Sequence, residues 1–382
     1  MVEHLRIVIT TTAGDTICRA MIPVRIAIAL LLAVSAVQAA ELPTELSDQE
    51  FWRIVTEFSE AGGVFTREFM SNEDSAQFVI PTLQQTMRRG GVYIGVGPEQ
   101  NFTYVAAVRA RIAFVVDIRR DNMLQHLLYK ALFELSADRA DFVSRLFSRP
   151  RPAALGPNAD VTALFAAYET LPADPAFHDA NVQAVMAQLS NRHGFPLTEA
   201  DKAGITSFMN TFRTAGPSAL KGSGDKNLSY AQAMTGTDLT GRHQGYLSSE
   251  ELFTFVRDLQ SRNLIVPLVG DFAGDKAIVS IGRYLRERDA IVDVFYASNV
   301  ERYLWDQGEH GRKFYSNAAT LPMDQSSTFI RSVTSDISRR LGVPLPDGTA
   351  NWRSFLSPMN DSLKAVNEGR VRTYREMFEL AR

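Results

Sequence analysis

Two short apolar runs, Val92-Tyr93-Ile94 with Val96 and Ile112 to Val116, are joined by a stretch of helical length in GGVYIGVGPEQNFTYVAAVRARIAFVVDIRRDN, Gly90 to Asn122. Runs so nearly unbroken read as parallel strands buried on both faces, and the connection makes the stretch a βαβ unit. In such a unit the ligand crevice lies beyond the carboxyl ends of the strands. Gly95 and Gly97 let backbone approach a ligand, and the helix that follows Glu99, with Asn101 in its first turn, aims free N–H groups at the same place. Asp117 closes the second strand, where a carboxylate can accept hydrogen bonds from a ribose diol. GVGPEQ lacks the third glycine of GxGxxG. The residues therefore read either as a nucleoside-type site or as a tight strand-to-helix turn in a buried sheet.

A chain of 382 residues holds two ordinary domains or one large α/β domain with an insertion. A net charge of −3, with no basic face standing out, gives no reason to expect a nucleic acid partner. Met21-Ile-Pro-Val-Arg25, the apolar segment Ile26 to Val37 and the exit Gln38-Ala39-Ala40 have the three parts of a secretory signal peptide. The expected organisation is an upstream extension and signal peptide over 1–40, with Met21 as the start and an exported mature chain from Ala40 or Glu41. Cys18 is the single cysteine and precedes Met21, so disulfide and thiol chemistry are not expected. No later segment is long and apolar enough to span a bilayer.

Residues 41–150 form the first half of the α/β domain. Ser47 to Glu50 has the spacing of a capping box, and Ser71-Asn72-Glu73-Asp74 reads either as the cap of the helix that carries Phe78 to Met87 or as a ligand contact. Asn122 to Phe147 reads as one long helix. Arg119 and Arg120 at its start either bind a phosphate or carboxylate, or pair with nearby acids such as Asp117. Residues 151–245 form a helical and loop insertion, irregular from Ala215 onward. Residues 246–345 hold the second half: strand Leu264 to Val269 ends in Gly270-Asp271, and strand Ile291 to Tyr296 ends in Ala297-Ser298-Asn299-Val300-Glu301. Pro267 is awkward in the first of these, since a central strand loses a ladder donor there. Ser327 to Arg331 adds a strand, and 346–382 is a helical tail. The fold expected is α/β, a doubly wound, mostly parallel, Rossmann-like sheet with a helical insertion. Asp271, Ser298, Asn299 and Glu301 then share a rim with Gly97 and Asp117.

The six histidines form no HExxH or HxH pattern, so no metal site is indicated. Neither a GxSxG elbow nor a GxxxxGK[ST] loop is present. With GGVYIGVGPEQNFTY, FVVDIRRDN, RNLIVPLVGDFAG, FYASNVERYL and SSTFIRS in view, the chain resembles a family of uncharacterised bacterial proteins, itself similar in fold to class I S-adenosylmethionine-dependent methyltransferases. The resemblance implies S-adenosylmethionine as cofactor, a small-molecule ligand, and an acceptor that the sequence does not name. It places Gly95 and Gly97 in the methionine-side loop, Asp117 at the ribose, and Asp271 or Asn299 near adenine and the transferred methyl, with Glu99, Asn101 and Arg119 as further cofactor-binding candidates. Asn299 and Glu301 become the candidate catalytic residues, Glu301 or Glu99 taking the acceptor's proton. GVGPEQ departs from the GxGxG run of those enzymes, and FYASN is not an NPPY-type loop. Export would separate the protein from a cytosolic cofactor, so an exported non-catalytic binding protein on the same fold stands as the alternative.

Overall fold

The computed structural model describes residues 41–65, 69–87, 90–156, 158–218, 228–334, 339 and 352–379. The signal-peptide expectation for 1–40 lies outside them. Glu41–Arg382 clusters as one unit around a six-stranded sheet of order β3-β2-β1-β4-β5-β6. The strands are β1 (Val92–Gly95), β2 (Ile112–Asp117), β3 (Ile265–Val269), β4 (Val292–Ser298), β5 (Thr328–Thr334) and β6 (Trp352–Pro358). β1 to β5 pair in parallel and β6 runs antiparallel to β5. The architecture is thus mixed α/β with a mostly parallel, Rossmann-like sheet.

The order has a mechanical consequence. The chain steps outward from β1 through β2 to β3, then returns to the other side of β1 for β4 and β5. Right-handed crossovers put helices from the two directions on opposite faces, and the reversal leaves a crevice between β1 and β4. Burial matches: every residue of β1, β2 and β3 is buried. Pro267 is accommodated because β3 is an edge strand, where a missing donor costs no ladder bond. That edge is covered by the segment after helix Asp48–Phe58, where the Glu60 N–H donates to the Val269 carbonyl at 3.0 Å and the Val269 N–H to Ser59 Oγ at 2.9 Å.

Three local expectations are corrected. The long helix from 122 to 147 is two helices, Arg120–Leu135 and Arg139–Phe147. Asp138 breaks it by capping the second, accepting from the Asp141 N–H at 2.8 Å, and such a cap outweighs helix propensity at one junction. Ser71 to Asp74 caps no helix by a side chain: neither the 3₁₀ turn Ala76–Val79 nor helix Ile80–Thr86 has such a bond. The tail 346–382 contains β6 before its helices Met359–Asn367 and Tyr374–Glu379. Arg353, Ser354 and Ser357 disguised an edge strand that is mostly half-buried and shows no two-residue alternation of burial. The stretch between β2 and β3 is helical, with Val161–Glu169, Pro175–Met186, Glu199–Ala215 and Tyr230–Thr235 among its helices. Among the described residues no helix is long and apolar enough to cross a membrane.

Candidate functional site

A cavity of about 330 Å³ opens at the carboxyl ends of β1 to β4. The volume is at the lower end of the ~300–1,000 Å³ usual for small-molecule sites. Of the nine residues singled out from sequence, Gly97, Asp117, Arg119, Asp271 and Asn299 line it. Gly95, Glu99, Asn101 and Glu301 are not part of its lining.

The two loop glycines do different work. Gly97 has φ +77° with nothing within 4 Å of an added Cβ, so the left-handed backbone alone selects glycine there, and the space beside it is open. At Gly95 a Cβ would stand 1.9 Å from Asn101 Oδ1, so this glycine makes room for a side chain of its own chain and not for a ligand. Asn101 is buried and holds the loop: its Nδ2 faces the carbonyls of Val96, Gly97 and Pro98 at 2.9, 2.9 and 2.7 Å, and its Oδ1 accepts from Tyr93 Oη at 2.9 Å. His126 supports the same loop from behind, with Nε2 2.9 Å from the Gly97 carbonyl and therefore carrying the proton. Burial pushes its pKa down to about 4, so the ring is neutral near pH 7. Glu99 is fully buried, and its Oε1 accepts from the Ser71 N–H at 2.8 Å. Glu99 and Asn101 therefore build the loop, while Gln100 and the backbone at Gly97 face the cavity.

At the end of β2, Asp117 does not present an open carboxylate. Its Oδ1 accepts from the Arg119 N–H at 2.8 Å and from Arg119 Nε at 3.0 Å, and its Oδ2 accepts from Arg119 Nη2 at 2.9 Å. Both side chains are more than nine-tenths buried, a bidentate pair with low screening. Arg120 turns the other way and pairs with Asp201 at 2.8 Å. Asp271 closes β3 in a tight turn, accepting from the Ala273 N–H at 2.8 Å.

At the end of β4, Ser298 takes φ +51°, a left-handed conformation uncommon for serine. Such outliers concentrate at ligand sites, where surrounding contacts hold them in place. Its hydroxyl donates to Glu73 Oε1, and the Ser332 hydroxyl donates to Glu73 Oε2 at 2.5 Å. Glu73 lines the cavity with Ser71, Asn72 and Tyr296, the last being a buried phenol raised well above its usual pKa by burial and by Glu73. In the sequence Glu73 belongs to a cluster readable as a cap or as a ligand contact, and it is not singled out as a site residue because it precedes the sheet, outside any strand end. The acidic doublet Glu73-Asp74 after two polar residues was the one available signal.

Glu301 is corrected as a candidate base. It is 1% exposed and turned into the core, where Arg331 Nε donates to its Oε2 at 2.6 Å and Tyr315 Oη to its Oε1. Asn299 precedes the helix Val300–Trp305 and Glu301 is its second residue, so the two side chains point about 160° apart around the helix axis. Only one of them can face the cleft.

No curated protein matches the chain. A family model described as "Domain of unknown function (DUF7790)" matches residues 69–156 and 158–382, which takes in all six strands and nearly all of the cavity lining. The chain belongs to that family.

Proposed function

We propose that the cleft binds a nucleoside-type small molecule, with S-adenosylmethionine the first candidate, and that the protein transfers its methyl group to an acceptor at the rim. The observation that supports this best is the convergence, in one cavity at the β1/β4 reversal, of the open Gly97 backbone with Asp117 and Asp271. Gly97 would meet the methionine portion, Asp117 the ribose and Asp271 the base. When bound, the group supplies an electrophilic methyl, and the chain supplies position. Titratable acids and bases in the lining, among the described residues, are Glu73, Asp117 and Asp271 against Arg119 alone. That balance suits a sulfonium better than a diphosphate. Glu73 replaces Glu301 as the carboxylate able to accept a proton from the acceptor.

One observation favours the alternative of an exported, non-catalytic binding protein: Arg119 already occupies both oxygens of Asp117. Under the enzyme reading, Arg119 must leave Asp117 as the ribose arrives. Calorimetry with S-adenosylmethionine and S-adenosylhomocysteine tests this. Submillimolar binding that is lost in Asp117→Asn and strengthened in Arg119→Gln, both with native circular dichroism, supports the enzyme reading. Silence from both ligands, together with a periplasmic product cleaved near residue 40, leaves the binding-protein reading.

A further inference from the structure

The cleft has two unlike sides, set by strand order. Gly97, Asp117 and Asp271 lie at the ends of β1, β2 and β3, whereas Ser298, Tyr303 and Trp352 come from the β4 to β6 side. Among the described residues the large hydrophobics most exposed to solvent are Val64, Phe65 and Leu239, at 100%, 39% and 63%. Two of these three are consecutive and both line the cleft. Scattered exposure is ordinary, but adjacent apolar side chains at a cavity mouth mark a contact surface.

Their placement is imposed by backbone. The segment after helix Asp48–Phe58 crosses the ends of β3 and β2 through Glu60 N–H to the Val269 carbonyl at 3.0 Å and Gly63 N–H to the Ile118 carbonyl at 2.8 Å. A Cβ at Gly63 would stand 2.6 Å from the Ile118 side chain, so glycine lets the segment lie flat. Phe65 then meets Tyr303 edge to face, ring centroids 5.0 Å apart. Trp352 is held independently, its N–H donating to Asp74 Oδ1 at 3.0 Å. Phe65 and Tyr303 thus pair at the cavity mouth, Trp352 lines the same cavity from β6, and Glu73, bonded to the β4 serine, is the carboxylate that lines it on this side.

We infer that the methyl acceptor is a small aromatic compound bearing a hydroxyl or amino group, its ring against Phe65, Tyr303 and Trp352 and its polar hydrogen directed to Glu73. The inference rests on the nucleoside reading of the opposite side. A cavity of about 330 Å³ suits one nucleoside-sized ligand, so a second molecule must approach over the rim, where the rings stand. Flat rings recognise flat rings through offset and edge contacts, and a carboxylate, which only accepts, selects a donor. In the transfer, the acceptor's oxygen or nitrogen attacks the methyl carbon of the sulfonium, the carbon–sulfur bond breaks with its electron pair leaving on sulfur, and the acceptor's proton passes to Glu73.

The test is calorimetric titration of the full chain with 4-methylphenol, with toluene, which lacks the donor, and with 4-methylcyclohexanol, which lacks the flat ring. Trp352 fluorescence serves as the local reporter. The phenol should bind about tenfold more tightly than either analogue. Phe65→Ala, a change at an exposed position, should weaken it by about tenfold without altering the thermal midpoint. Glu73→Gln should erase the preference over toluene, and Trp352→Phe should remove the fluorescence response. Equal binding of the three probes, no binding of the phenol, or phenol binding indifferent to Phe65→Ala and Trp352→Phe would overturn the inference. If S-adenosylmethionine binds through Asp117 while the phenol does not, the ring site falls and the nucleoside reading stands. Phenol binding with both nucleosides silent keeps the ring site and removes methyl transfer.

Discussion

The cleft and the buried cluster around Arg331 are both charged, both take a residue from just beyond β4, Asn299 in one and Glu301 in the other, and are opposite in how that charge is met. In the cluster, Arg331 is fully buried and donates to Glu301 at 2.6 Å, to Tyr315 Oη at 3.0 Å and to Ser362 Oγ at 3.2 Å, with Ser357 also in contact. Its guanidinium is held above its ordinary pKa, Glu301 and Tyr315 outweighing the opposing effect of burial. In the cleft, Glu73, Asp117 and Asp271 border a cavity. A charge at a strand end is thus no sign of chemistry by itself. What distinguishes a site is polar groups meeting open space, and a closed network of the same residue types is architecture.

The contrast is broken most directly at Arg331. Arg331→Met should cost about 3–5 kcal/mol in denaturant unfolding, because Glu301 is left charged and buried without its partner. A loss below about 1 kcal/mol would mean that the cluster can rearrange or hydrate, and that the two regions differ less than their geometry suggests.

Acid reaches the cleft through His126. Its folded pKa, pushed down to about 4 by burial, lies below the ordinary 6.5, so between these values the unfolded chain binds a proton that the folded chain refuses. Stability therefore falls as pH drops through that window, by about 3 kcal/mol in full, and is flat with respect to this group above and below it. His126→Gln should flatten the profile between pH 6.5 and 4 relative to the parent; parallel profiles would mean that the ring protonates without cost.

The glycines sharpen the comparison within the loop itself. Gly95→Ala drives a methyl against Asn101 and should cost about 1–3 kcal/mol, with the Asn101 bonds disturbed. Gly97→Ala meets no atom and should cost about 1–2 kcal/mol from its left-handed backbone alone. Thermal unfolding of each single mutant separates the two, the larger loss belonging to Gly95→Ala, whose methyl meets the Tyr93 ring at 2.7 Å as well as Asn101. Smallest is Asp271→Asn: the turn to Ala273 keeps an acceptor, so stability should move by less than about 0.5 kcal/mol while any ligand held by that carboxylate weakens.

Much of the sheet was legible because buried parallel strands need nearly continuous apolar residues, and Val92 to Ile94, Ile112 to Val116 and Leu264 to Val269 announce themselves at that spacing. β6 did not, since an antiparallel edge strand that is only half-buried can carry Arg353 and Ser354 and pass for a tail. The ends of β1, β2, β3 and β4 were placed well enough to find Gly97, Asp117, Asp271 and Asn299 on one rim. Glu73 was legible only as a cap or a ligand contact, and what decides between them, its neighbours Ser298 and Ser332, lies more than two hundred positions away.

Local pattern determined which segments become strands and helices, and so where each strand stops and which polar residues follow it. Tertiary packing decided which of those residues look outward: Asn101 into the loop, Glu301 into Arg331, Arg119 onto Asp117, and Asn299 into the cavity. Side-chain direction depends on helix phase and on long-range partners, and a linear spacing carries neither.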